Sequence, residues 1–201
     1  MYYHASNVKG IKKLKPHKSM HGKAFVYFSS KRENILVYLS NPVEKFIKEK
    51  HNRPMQEYKK WATYGFTSDG KIRLEEYYNN ALIDTFKGVC GYIYRVDELE
   101  NTEKINNINN VFVIDSEVNI CGCEEIEDAY EEILKAEAKG LIEIQRFETI
   151  SDKKKEWIKN TITNEYNNTD NQDYKEFLLS KFDWLSENIK NKEQDVWEYL
   201  E

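Results

Sequence analysis

The 201-residue chain predicts an α+β fold, and three observations carry that reading. Short aromatic and β-branched runs at Ala24–Phe28, Val89–Val96 and Val111–Ile114 have the composition of strands. Apolar residues recur at three- and four-residue spacing beyond Glu124, which is the period of one helix face. The change of character near residue 122 divides the chain into an α+β part, 1–122, and a mainly helical extension, 123–201, packed on it.

In chain order, Met1–Ser6 reads as a first strand and Val8–Gly22 as a basic loop anchored by Ile11 and Leu14. Ala24–Ser40 reads as a strand running directly into an amphipathic helix, with Ser29 or Ser30 as the cap and Ile35, Leu36, Tyr38 and Leu39 on one face. Pro42 suits the first turn of a helix over Val43–Glu49. Residues 61–78 predict a β-hairpin turning at Ser68-Asp69-Gly70-Lys71, because Asp-Gly supplies the backbone angles a tight turn requires. Glu75 and Glu76 on its second strand read as two surface carboxylates. A short helix over Asn80–Phe86 closes at Gly88, and Val89–Val96 has the apolar content of a sheet centre. An Asn-rich loop follows. From Glu124 onward a helical stripe runs through Ala129, Tyr130, Ile133 and Leu134 to Gly140, and Leu141–Phe147 reads as an edge strand. Ser151 caps a helix carrying Trp157, Ile158 and Ile162, and Tyr174–Ile189 forms the last one.

Composition excludes several classes. No run of 18 apolar residues exists and the N-terminus lacks an apolar signal region, so neither a membrane span nor secretion is expected and the cytoplasm is the default compartment. Three cysteines make no disulfide framework, and Cys121-Gly-Cys123 has no further ligands at zinc spacing, so no metal is expected. Charge is segregated: residues 1–60 hold 14 Lys and Arg against 4 Asp and Glu, whereas the chain as a whole carries −5. Lys9, Lys12, Lys13, Lys15 and Lys18 read first as a solvated basic loop, and as a second reading could attract a nucleotide or nucleic acid. Aromatic residues do not interleave with these lysines, so a nucleic-acid partner is not expected.

Tyr27 and Tyr38 are core aromatics on one reading. A second reading follows from the order of features: His4 within Tyr3-His4-Ala5-Ser6 on the first strand, Tyr27-Phe28 ending the second, and Tyr38 eleven residues on. This order resembles the H-Y-E branch of the ADP-ribosyltransferase fold, which includes poly(ADP-ribose) polymerases and diphtheria-type toxins. The resemblance covers about residues 1–120 and implies a split mixed β-sheet with flanking helices, NAD as substrate, and mono-ADP-ribosyl transfer or NAD glycohydrolysis. It implies that His4 bonds the nicotinamide ribose, that Tyr27 and Tyr38 flank the nicotinamide, and that the Ala5 backbone bonds its carboxamide. Laying Asn109–Asp115 over the family's glutamate-bearing strand puts Asn110 at the catalytic glutamate, with Glu117 or a hairpin glutamate as the substitute if the register differs. Ala5 stands where the family has glycine, Ile35 where it has a hydroxyl-bearing serine, and Asn110 lacks the charge that an oxocarbenium-like transition state requires. The alternatives are a non-catalytic nucleotide- or protein-binding module, with a partner docked on the C-terminal helices, and RNA 2'-phosphotransferase chemistry. The latter needs converging arginines, and the first 60 residues hold only Arg32 and Arg53.

Overall fold

The computed structural model describes residues 1–18, 23–54, 64–104 and 110–187. Its strands are β1 (Tyr2–Ser6), β2 (Lys13–Leu14), β3 (His17–Lys18), β4 (Ala24–Ser29), β5 (Tyr64–Phe66), β6 (Ile72–Glu75), β7 (Gly91–Val96), β8 (Glu103–Lys104), β9 (Val111–Ile114), β10 (Val118–Asn119), β11 (Gly122–Ile126) and β12 (Glu143–Gln145). The helices are α1 (Pro42–His51), α2 (Ala81–Phe86), α3 (Ala129–Ala138), α4 (Asp152–Asn168) and α5 (Gln172–Lys181), with 3-10 turns at Glu33–Leu39 and Phe147–Thr149. The class is α+β, as expected.

Two compact units cross the linear order of the chain. The first combines Met1–Asn41, Ala62–Glu75 and Leu82–Gln145; the second combines Pro42–Trp61, Glu76–Ala81 and Arg146–Glu201. In the first, seven strands form one sheet in the order β11-β7-β1-β4-β9-β8, with β3 added beside β4. Every described pairing in it is antiparallel, so the mixed sheet expected from the resemblance is not seen there. The parallel pairing is β12 with β6, in a separate three-stranded sheet. β1 pairs with β7 along five residues but with β4 at a single position, Tyr3 opposite Ser29. The large sheet is thus two halves hinged at one residue pair.

Each face of that sheet has its own core. The 3-10 helix Glu33–Leu39, α2 and α3 cover one face through Leu36, Leu39, Phe86 and Ile133, with Tyr3 and Ala5 packed against them. Val26, Phe28, Val96 and Ile114 face the other way, against Leu14 and Val118 of the β2–β10 ribbon. Buried Asn34 ties the hairpin turn to this arrangement: its Nδ2 donates to the Gly70 carbonyl at 3.0 Å and its Oδ1 accepts from the Ile72 amide at 3.1 Å.

Several expectations are corrected. Neither serine caps a helix after β4. Ser29 Oγ accepts from the Lys31 amide, and the helix starts at Glu33 without a side-chain cap, as a tighter 3-10 turn with Tyr38 half exposed and its neighbours buried. β7 is second from the sheet edge, and β1 and β4 occupy the centre. Glu124 lies on strand β11, and the helix begins only at Ala129, where the Asp128 carboxylate accepts from the Tyr130 and Glu131 amides. Glu103–Lys104, in the expected loop, forms the edge strand β8. Glu76 is buried, its carboxylate accepting from the Phe147 amide, and the Glu75 side chain is mostly covered and paired with Arg73. The expected hairpin is present over Tyr64–Glu75, and Trp61–Thr63 lie outside the described residues.

The second unit packs α1, α4 and α5 around Val43, Ile158, Ile162, Tyr174 and Phe177. Ion pairs clasp α1 to α5: Lys50 and His51 both reach Glu176, at 2.8 and 2.7 Å, and Arg53 takes Asp173 in a two-point contact.

Asn34→Ala leaves the Ile72 amide and the Gly70 carbonyl short of a buried partner, so it is expected to destabilise the fold by about 2 to 4 kcal/mol. Urea denaturation measures this; an unchanged midpoint contradicts the assignment.

Candidate functional site

The site grows out of the point where β1 and β4 part. Beyond Tyr3 and Ser29 no β4 residue pairs with β1, and the His4 side chain takes over. Its Nδ1 lies 2.9 Å from the Tyr27 carbonyl oxygen. A carbonyl can only accept, so Nδ1 carries the proton and Nε2 is left as a lone pair in the neutral ring. Burial lowers the His4 pKa, the bond to the Tyr27 carbonyl opposes that shift, and the charge of His17 adds to it. The imidazole is held neutral near pH 7.

Alternation along β4 turns Tyr27 away from Phe28 and toward the 3-10 helix that carries Tyr38. The His4 ring sits 5.9 Å from Phe28, so it meets Tyr27 through the backbone and not through the phenol. Tyr38 meets Tyr64 directly. Tyr38 is 41% exposed, yet its hydroxyl end is enclosed: burial raises its pKa, a hydrogen bond with Tyr64 works the other way, and the Tyr27 phenol raises it further. Tyr38 and Tyr64 meet edge to face at 5.8 Å, Tyr64 and Phe66 at 6.4 Å, and Phe25 and Tyr27 at 6.4 Å. Tyr38, Tyr64 and Phe66 thus form one chain of partly exposed rings and Phe25 and Tyr27 another, flat surfaces of the kind that grip a planar ring.

The other motif positions have local duties. Asn110 is in the left-handed region at φ 67°. Its carbonyl accepts from the Ser30 amide at 3.0 Å, its Oδ1 accepts from Ser30 Oγ at 3.1 Å, and its Nδ2 points to the Gly70 carbonyl at 3.4 Å. It pins the end of β4 and the hairpin turn. Glu117 stands between β9 and β10, with Lys13 at 3.0 Å and Lys15 at 3.4 Å; those ammonium groups, Lys13 first, hold its carboxyl below the usual range. Ala5 lies opposite Ile93 on β1 and packs into the helical-side core, where Ile35 is also buried. His4, Tyr27 and Asn110 therefore mark three neighbouring strands, β1, β4 and the start of β9, while Glu117 is engaged beside the small ribbon.

Two features escaped the sequence. Glu103 on β8 is opposite Val113, which is opposite Tyr27, so Glu103 shares the Tyr27 face two strands away, about 10 Å across the ladder. A two-residue strand has no readable period. The second is the ion cluster of Arg32, whose Nε and Nη2 meet Glu124 at 3.0 and 2.5 Å while Nη2 also meets Glu132 at 3.0 Å. It ties the start of the 3-10 helix, and so the approach to Tyr38, to β11 and α3. Among the described residues no group of three or more His, Cys, Asp and Glu could hold a metal ion, and no helix is long and apolar enough to cross a membrane.

No protein-family model matches the chain, and neither a curated protein nor a solved structure matches it significantly.

His4 is expected to titrate below 6.5 in the folded protein. Above that pH both folded and unfolded states are neutral at this site; as pH falls, the unfolded chain takes the proton first and stability is lost until the folded pKa is passed. Imidazole NMR titration reads the pKa, and His4→Gln is expected to flatten the stability loss that sets in as pH falls through 6.5. A His4 pKa at or above 6.5 contradicts the buried, neutral assignment.

Proposed function

We propose that the first unit is an NAD-binding module of ADP-ribosyltransferase type, with the nicotinamide ring received beside Tyr27 and Tyr38. The single observation that carries this reading is that Tyr27 and Tyr38, eleven residues apart in sequence, lie on β4 and on the 3-10 helix that covers the same face of the sheet, beside the place where β1 and β4 separate. The sheet's division into two halves at one residue pair supports the resemblance, as does the placement of His4, Tyr27 and Asn110 on three adjacent strands. His4, on the Phe28 face, serves in this reading to hold β1 against β4 beside the ring's site.

Breaking the nicotinamide–ribose bond develops positive charge on the ribose, so transfer or hydrolysis needs a carboxylate on the ring's side. Asn110 is neutral and engaged with Ser30 and Gly70; Glu117 is engaged with two lysines. On the Tyr27 face, Glu103 supplies the charge in this reading. The engagement of Asn110 also favours a second reading, a non-catalytic nucleotide-binding module on the same fold.

An NAD titration by calorimetry, with free nicotinamide quantified in the same samples, tests both. Tyr27→Ala is expected to weaken NAD binding about tenfold, the scale of one lost stacking contact. Nicotinamide release that falls in Glu103→Gln while binding is retained assigns the carboxylate; binding without release in the parent assigns the non-catalytic module. Failure of the parent to bind or consume NAD at millimolar concentration overturns the nucleotide reading.

A further inference from the structure

The second unit contains a cavity of about 630 Å³, within the size range of small-molecule sites and independent of the aromatic rings around Tyr27. Its wall is aromatic: Tyr77, Tyr78, Phe147 and Trp184 all face it. Three lysines also line it: Lys155 and Lys181 are half-buried and Lys159 is exposed. Lys155 Nζ lies 5.9 Å from the centre of the Phe147 ring, and Lys181 Nζ lies 5.6 Å from that of Tyr78.

Carboxylates line the cavity as well, at Asp152, Glu156 and Asp183, but all three residues are exposed. Asp152 is the one within ion-pair reach of Lys155, at 3.9 Å, and its side chain stands fully in water. Water screens those charges more than the half-buried ammonium groups. A cationic ligand would find the Phe147 and Tyr78 rings already carrying lysine cations and would meet two like charges. An anion meets two opposite ones.

We propose that this cavity binds a small aromatic anion, a flat ring bearing a phosphate or a carboxylate, with Lys155 and Lys181 taking the charge and the aromatic wall taking the ring. Neither fragment alone satisfies both parts of the site. The ring without charge gains nothing from the ammonium groups, and the charge without the ring leaves the apolar wall in water.

NMR titration of the full chain with phenyl phosphate, benzoate, inorganic phosphate and benzyl alcohol tests this. Phenyl phosphate or benzoate is expected to shift the Trp184 indole signal and to bind at least about tenfold more tightly than either single-part probe, and which of the two binds better assigns phosphate or carboxylate. Lys155→Met and Lys181→Met keep the aliphatic stems and are each expected to weaken the aromatic anion about tenfold, with Lys155→Arg retaining it. Equal binding of benzyl alcohol, equal binding of inorganic phosphate, or no binding of either aromatic anion by the parent protein overturns the proposal without recourse to any variant. Unchanged affinity in the double methionine variant overturns it too.

Discussion

The first unit depends on how a sheet continues past the point where two of its central strands stop pairing. β1 and β4 share the Tyr3–Ser29 position and then part, which would leave the Tyr27 carbonyl without its neighbour in the ladder. His4 supplies the donor. The bond requires a proton on Nδ1, and burial requires the ring to stay neutral, so one contact fixes the tautomer, the charge and the spacing between strands. Tyr27 lies beside that gap, on the face that the 3-10 helix covers.

Around that gap the polar side chains act as braces. Gly70, in the left-handed region at φ 74°, turns the hairpin so that its carbonyl receives both Asn34 and Asn110. Arg32 holds the first residues of the 3-10 helix against β11 and α3 through Glu124 and Glu132, and its side chain is largely buried. Breaking such a cluster on one side leaves a charge short of its partners in a poorly solvated place, so its geometric role outweighs its net stabilisation. A helix end with no cap of its own is positioned from outside.

What the sequence made legible was local. The strands at Tyr2–Ser6, Ala24–Ser29 and Val111–Ile114 announced themselves by aromatic and β-branched content, the start of α4 by the Ser151 cap, and α5 by the spacing of its apolar residues. β11 was misread because Cys123, Glu124 and Glu125 are polar and lead into a true helix; an edge strand tolerates such charges, and its ladder partner β7 is about thirty residues upstream. Glu76 looked like a surface group because nothing near it in sequence reveals that Phe147 brings its amide there. Of the candidate site, the eleven-residue spacing of Tyr27 and Tyr38 was visible, whereas the diversion of Asn110 and Glu117 to local partners depends on contacts with Ser30, Gly70, Lys13 and Lys15 that only the folded chain shows.

The central claim is that the nicotinamide ring lies against Tyr27 and Tyr38. Intermolecular nuclear Overhauser effects between NAD and the selectively labelled tyrosines of the full chain address it most directly. The account expects contacts from the nicotinamide ring protons to the ring protons of Tyr27 and Tyr38, lost for the substituted residue in Tyr27→Phe only if the ring itself moves. Contacts from bound NAD to other tyrosines with none to these two would contradict it.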